Sequence, residues 1–168
     1  MFLLYVSFSR EGLVSQERFR ELVSGIAADI SGKPVEPRLA GYLNRNWPAG
    51  GEDFENLKKI CAQGEDEGWL LQHETGGIRF GRAIKHGADA GAFSVDVVRM
   101  KDVRGPHHIH PNGEIGAVMV IDGAPRFDGF GEGWYVYEAG SGHYPTVTGG
   151  DVYVLYLLPQ GAIEFTGK

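Results

Sequence analysis

The sequence predicts a mainly β protein, a sandwich or barrel of antiparallel strands preceded by helices, on three observations. After Trp69, short runs rich in β-branched and aromatic residues recur at roughly ten-residue spacing between Gly-containing turns. The first third of the chain instead repeats its apolar residues at three- and four-residue steps. With 168 residues, 42% hydrophobic and 23% charged, the chain has material for one ordinary domain with its own core. Residues 1–68 are expected to form a helical segment packed on a barrel made by residues 69–168.

The opening MFLLYVSFSR is apolar but too short to span a bilayer, and no basic segment precedes it. A strand, a frayed tail and an upstream start codon all remain open for it. From Ser15 to Ile30 the stripe Phe19, Leu22, Val23, Ile26 and Ala27 marks one face of a helix that SGKP ends. A second helix is expected over Arg38–Asn44, ended by NWPAGG. A third runs from about Asp53 to Gly64, with Phe54, Leu57 and Ile60 or Cys61 on one side. IRFGRAIK, AFSVDVVRM, EIGAVMVID, PRFDGF, GWYVYEAG, TVTGGDVYVLYLLP and AIEFT then read as strands.

A formal charge of −6 with scattered Lys and Arg gives no basic face for phosphates, so a nucleic-acid partner is not expected. The single cysteine, Cys61, excludes an intramolecular disulfide and a cysteine-built zinc site, and it fits a reducing compartment. A cytoplasmic protein without a membrane partner is the expectation.

The chemistry concentrates in GPHHIHPNGE. Three of the six histidines and a glutamate lie within residues 107–114. On an extended segment His108 and His110 leave the same face, while His107 and Ile109 leave the other. Glu114 shares their parity, but on an unbroken strand it would sit about 13 Å beyond His110, too far for metal bonds of about 2 Å. Pro111-Asn112-Gly113 can reverse the chain, letting Glu114 open a new strand that folds back over the histidines. On that strand Glu114, Gly116, Val118 and Val120 would share a face, with Gly116 leaving space beside an ion. His143, after a Gly-rich turn, is a candidate fourth ligand. Three imidazoles and a carboxylate suit Zn, Mn, Fe, Ni or Co, so one divalent ion of open identity is expected.

HIHPNGE followed by a strand, then GSGHYP about thirty residues on, resembles the two metal-binding motifs of the cupin superfamily. The resemblance implies a single cupin-type jelly-roll barrel with the metal inside, held by His108, His110, Glu114 and His143. The first motif's closing glycine is displaced to Gly123, and the Asn after the second His is absent. From about Pro37 onward, PRLAGYLN, NWPAGGEDFENL, GGIRFGRAIK, FSVDVVRM, GPHHIHPNGEI, PRFDGFGEGW, PTVTGG and YLLPQGAIEF are similar to the small cupin family that includes the 4-hydroxylaminobenzoate lyases.

That likeness implies conversion of 4-hydroxylaminobenzoate to 3,4-dihydroxybenzoate and ammonia. A Lewis-acidic ion would polarise the hydroxylamine oxygen or activate water. A small aromatic carboxylate also needs a cation, and Arg79, Arg82, Arg99 and Arg126 are strand-borne candidates, of which Arg79 and Arg126 are chosen. Glu114 is expected to act in catalysis, and Glu138 and Tyr144, flanking the second motif, would exchange protons if they line the barrel. His107 reads as a supporting or surface group, and Trp134, Tyr137, Tyr153 and Tyr156 as core or lining aromatics. A dioxygenase, which anaerobic activity would oppose, and an isomerase acting on another small acid remain alternatives. A non-enzymatic cupin, needing no open coordination position, is a third. A homodimer paired through exposed sheet edges is expected.

Overall fold

The computed structural model describes residues 2–168, with side-chain packing described from Gly12 on. Three helices come first, α1 (Phe2–Ile30), α2 (Arg38–Asn46) and α3 (Glu52–Glu67). Phe19, Val23, Ile26 and Ala27 of the expected stripe are buried, joined by Ile30. The helix reaches back to Phe2 instead of starting at Ser15. Ser15 lies inside the helix, and its buried hydroxyl donates to Glu67 and accepts the indole N–H of Trp69, tying α1 to the end of α3. Gly68, at φ 84, ends α3 by donating its N–H to the carbonyls of Gly64 and Glu65.

Nine strands follow: β1 (His73–Thr75), β2 (Ile78–Ile84), β3 (Phe93–Arg104), β4 (His108–His110), β5 (Glu114–Phe127), β6 (Gly133–Tyr137), β7 (Ser141–His143), β8 (Thr146–Pro159) and β9 (Glu164–Phe165). All pairings are antiparallel, and they form a six-stranded sheet of order β1-β2-β3-β8-β5-β6 and a three-stranded sheet of order β7-β4-β9. The stretch PRFDGF is not a separate strand. Irregular register at Val120/Asp122 and Gly123/Arg126 bends β5, which continues along β8 to Phe127 before a turn at Asp128.

The central strands are buried on both faces, which explains apolar runs such as VYVLYLL. Val95, Val97, Ile115, Ala117, Leu155 and Leu157 share one cluster with Phe19, Val23, Leu43 and Leu57 of the helices. The alternate residues Met100, Val118, Val152 and Val154 pack in a second cluster with Phe127 and Tyr135. The helices therefore cover one face of the large sheet while the small sheet covers the other. This is a mainly β, cupin-type jelly roll with an N-terminal helical segment packed on it, the two sheets being open rather than fused into one barrel. Among the described residues no helix is long and apolar enough to cross a membrane.

Candidate metal centre and cavity

The small sheet aligns the histidines. β4 places His108 and His110 on one face, and its pairing with β7 sets His108 directly opposite His143. The three rings converge through their Nε2 atoms, with His143 at 2.9 Å from His108 and 3.1 Å from His110. The turn after His110 is real: Gly113 returns its N–H to the His110 carbonyl at 3.2 Å and stands at φ 90. A Cβ on Gly113 would meet the Tyr137 carbonyl at 2.7 Å, so the tight return depends on glycine. Glu114 then opens β5 with Oε2 at 3.3 Å from His110 Nε2 and 3.9 Å from His143 Nε2.

Hydrogen bonds decide which nitrogens face inward. His108 Nδ1 lies 3.1 Å from the Pro106 carbonyl, and His143 Nδ1 lies 2.5 Å from Asp128 Oδ2. Each must donate there, which leaves an unprotonated Nε2 aimed at the common point. Lone pairs about 3 Å apart cannot bond one another. Burial, reinforced by the neighbouring imidazoles, pushes His108 down to about 4 and His110 down to about 3. Burial lifts Glu114 to about 8. Its Oε2 is buried without a hydrogen-bond partner among the described residues. Three imidazoles with ligand nitrogens within 4.8 Å of one another, beside a carboxyl oxygen without a hydrogen bond among the described residues, form a donor set that suits a divalent cation.

Asp128 supports this set and was not among the residues picked from the sequence. Its Oδ2 accepts from His143 Nδ1 and from the Tyr137 hydroxyl at 2.8 Å, while Oδ1 accepts the Thr146 N–H at 2.9 Å. Burial pulls the Asp128 carboxyl up, but these bonds outweigh it and hold the group below its ordinary value. In the sequence Asp128-Gly129 reads only as a turn, which it also is, with Asp128 at φ 50. Gly116 likewise differs from expectation. The Tyr135 ring occupies the space over it, where a Cβ would lie 2.1 Å from Tyr135 Cζ, so the gap holds an aromatic ring rather than room for an ion.

A cavity of about 270 Å³ opens above the histidines between the two sheets. His108, His143 and Glu114 line one part, and Phe80, Val98 and Phe165 are among its apolar walls. Among the described residues Glu114 is the one carboxyl in the lining.

A family model for the PnbB 4-hydroxylaminobenzoate lyases matches residues 21–165. The chain belongs to the 4-hydroxylaminobenzoate lyase family. It is 31% identical over 146 residues to a 4-hydroxylaminobenzoate lyase of Nocardioides sp. (strain LMS-CY), covering 82% of this chain and 86% of the relative. Identity to the enzyme of that name from Pseudomonas putida is 28% over 155 residues, covering 82% and 88%. Similar solved structures include the DMSP lyase DddQ from Ruegeria pomeroyi, at 15% identity and TM-score 0.41 over 86% of this chain and 76% of that one. The polyketide cyclase RemF from Streptomyces resistomycificus aligns at 14% identity and TM-score 0.41 over 54% and 72%.

Not all the residues picked for this lyase gather at the cavity. Strand alternation turns Arg79 to the helix face, where Nη1 donates to Glu65 of α3 at 3.1 Å. Arg99, on the same face, binds Glu65 and Asp151. Arg126 is exposed past the bend of β5, donating to the Gly129 carbonyl at 3.0 Å. Glu138 is exposed in the turn between β6 and β7. Tyr144 lies outside the cavity lining, between the His107 ring at 4.8 Å and the Arg104 guanidinium at 3.8 Å. His107 itself bonds the Thr166 hydroxyl at 2.7 Å, and Cys61 is buried packing.

Proposed function

We propose that this lyase converts 4-hydroxylaminobenzoate and one water to 3,4-dihydroxybenzoate and ammonia, with one divalent ion held by His108, His110, His143 and Glu114. The observation that carries this reading is a largely apolar cavity lined at one part by His108, His143 and Glu114, beside the converging histidine triad, in a chain of this family. The N–O and C–N bonds break and oxygens end on two adjacent ring carbons, with no external oxidant or reductant. An ion in the triad would supply Lewis-acid polarisation of the hydroxylamine oxygen or of water.

The protein's own groups do the rest. The apolar walls hold the ring and exclude bulk water, so the reacting nitrogen faces the triad in one orientation. Asp128 and Pro106 keep His143 and His108 in the tautomer with Nε2 unprotonated. Glu114 serves as the fourth donor and is the carboxyl placed to take or return a proton at the reacting end. Glu138 and Tyr144 would act only from outside the lining.

Purified protein mixed with 4-hydroxylaminobenzoate, without reductant or nicotinamide, is expected to release ammonia and 3,4-dihydroxybenzoate in equal amounts. The Glu114→Ala variant should lose both. No consumption of this substrate across Zn, Mn, Fe, Ni and Co would reject the assignment.

A further inference from the structure

The proposed substrate carries its carboxylate para to the reacting nitrogen. A site holding the nitrogen at the histidines must therefore meet the carboxylate across the ring. Among the described residues the 270 Å³ cavity has no Arg or Lys in its lining. A second hollow of about 310 Å³ adjoins it, and Phe80, Tyr156, Ile163 and Phe165 line both. Arg82 is the guanidinium of that second hollow.

Strand register explains the placement. Ile78 and Phe80 of β2 face the cavity, and Arg82 continues their alternation. Arg82 pairs with Asp96, Asp96 with Tyr156, and Tyr156 with Gly116. Glu114 lies two residues from Gly116 on the same face of β5. A row of side chains thus crosses four strands from Arg82 toward the metal centre. At about 4.8 Å per strand the backbones at its ends are ~14 Å apart before any side chain reaches inward. That gap suits one aromatic ring bound at both ends.

Arg82 is also held in place. Its Nε and Nη2 donate to Asp96 Oδ1 and Oδ2 at 3.0 and 3.1 Å, a two-point clasp that fixes the guanidinium plane. Asp96 is 7% exposed. Nη1 makes no hydrogen bond among the described residues, so its two N–H groups remain to be used.

We propose that Arg82 receives the substrate carboxylate in the second hollow, with Asp96 holding the guanidinium and Phe80 and Phe165 flanking the ring. This rests on the aromatic-acid reading above and replaces Arg79 and Arg126 as the anchor, since those two are engaged elsewhere.

The test uses 4-aminobenzoate, which has no N–O bond to cleave, and its neutral isostere 4-aminobenzamide. Their dissociation constants are measured by calorimetry on metal-loaded wild type, Arg82→Gln and Arg82→Lys. Arg82→Gln should weaken 4-aminobenzoate about tenfold to a hundredfold and leave the amide unchanged, with Arg82→Lys between. Arg82→Gln leaves Asp96 without its partner; if that variant does not fold, Arg82→Lys carries the comparison. Unchanged 4-aminobenzoate binding, or equal losses for both ligands, would overturn the assignment, as would a wild type that does not bind 4-aminobenzoate. Failure of the lyase reading looks different: wild type would leave 4-hydroxylaminobenzoate unconsumed while the acid-against-amide contrast at Arg82 persisted.

Discussion

The histidine triad is oriented at two of its three members by an oxygen that accepts from the ring's far nitrogen. Asp128→Asn keeps the shape but replaces the carboxylate that fixes His143. We expect metal affinity to fall about 10- to 100-fold with the fold intact, read by chelator competition alongside circular dichroism. Acid and base limits follow from the same groups in metal-free protein. His108 and His110 titrate near 4 and 3 when folded, against 6.5 ordinarily. The unfolded chain takes up these protons first, so stability should fall as pH drops from about 6.5 toward 4. Glu114, raised from 4.5 to about 8, acts oppositely: its contribution is full below about pH 4.5 and lost as pH rises toward 8. Urea unfolding across this range should show the decline between pH 6.5 and 8 in metal-free wild type and a smaller one in Glu114→Gln. Equal profiles would discard the assignment to Glu114.

At the scale of elements, β5 carries the tightest constraint. Gly116 faces the Tyr135 ring of β6 at a separation no side chain could share. Gly116→Ala should cost about 3 kcal/mol or more by denaturant unfolding, because Tyr135 is fully buried and has nowhere to move. In a Tyr135→Ala background the added cost should shrink, and full additivity would refute the clash. The outer edge of β6 is closed differently. Asn44 of α2 accepts the Trp134 N–H at 2.9 Å and donates to the Trp134 carbonyl at 3.1 Å, imitating a neighbouring strand. Nothing in PRLAGYLN marks Asn44 for this task, whereas the PNG turn that starts β5 was legible because its residue types have few other uses.

The whole molecule depends on its helices. One apolar cluster joins Phe19, Leu43 and Leu57 to Val97, Ala117 and Leu155 of the sheet. Residues 69–168 produced alone would expose that face, and we expect insoluble or non-cooperatively unfolding material rather than a free-standing barrel. Soluble, cooperatively folded 69–168 would show the helices to be dispensable. The expected homodimer is assigned to the β1 edge of the large sheet, where His73, Glu74 and Thr75 are exposed, because Asn44 occupies part of the opposite edge at β6. Light scattering should give twice the 18.3 kDa chain mass, and a strict monomer would remove this assembly.

The local rules of the chain were readable from residue types alone. Helical and alternating periodicities, the turn at Pro111-Asn112-Gly113 and the spacing of His108, His110 and Glu114 all follow from backbone geometry within a few residues. Contacts across the fold were not readable in that way. Whether Arg79 or Arg82 lies on the face of β2 turned toward the two hollows depends on strand parity relative to a core that both faces of the sheet share. Asp128 acquires its role only when β7 carries His143 past the turn that holds it, fifteen residues away in sequence. Even Ser15, where the first helix was expected to begin, is a mid-helix tether to Glu67 and Trp69. Short-range sterics act on neighbours in the chain and leave their mark in local composition, whereas the partner of a buried polar group is chosen by the packing that brings distant strands together.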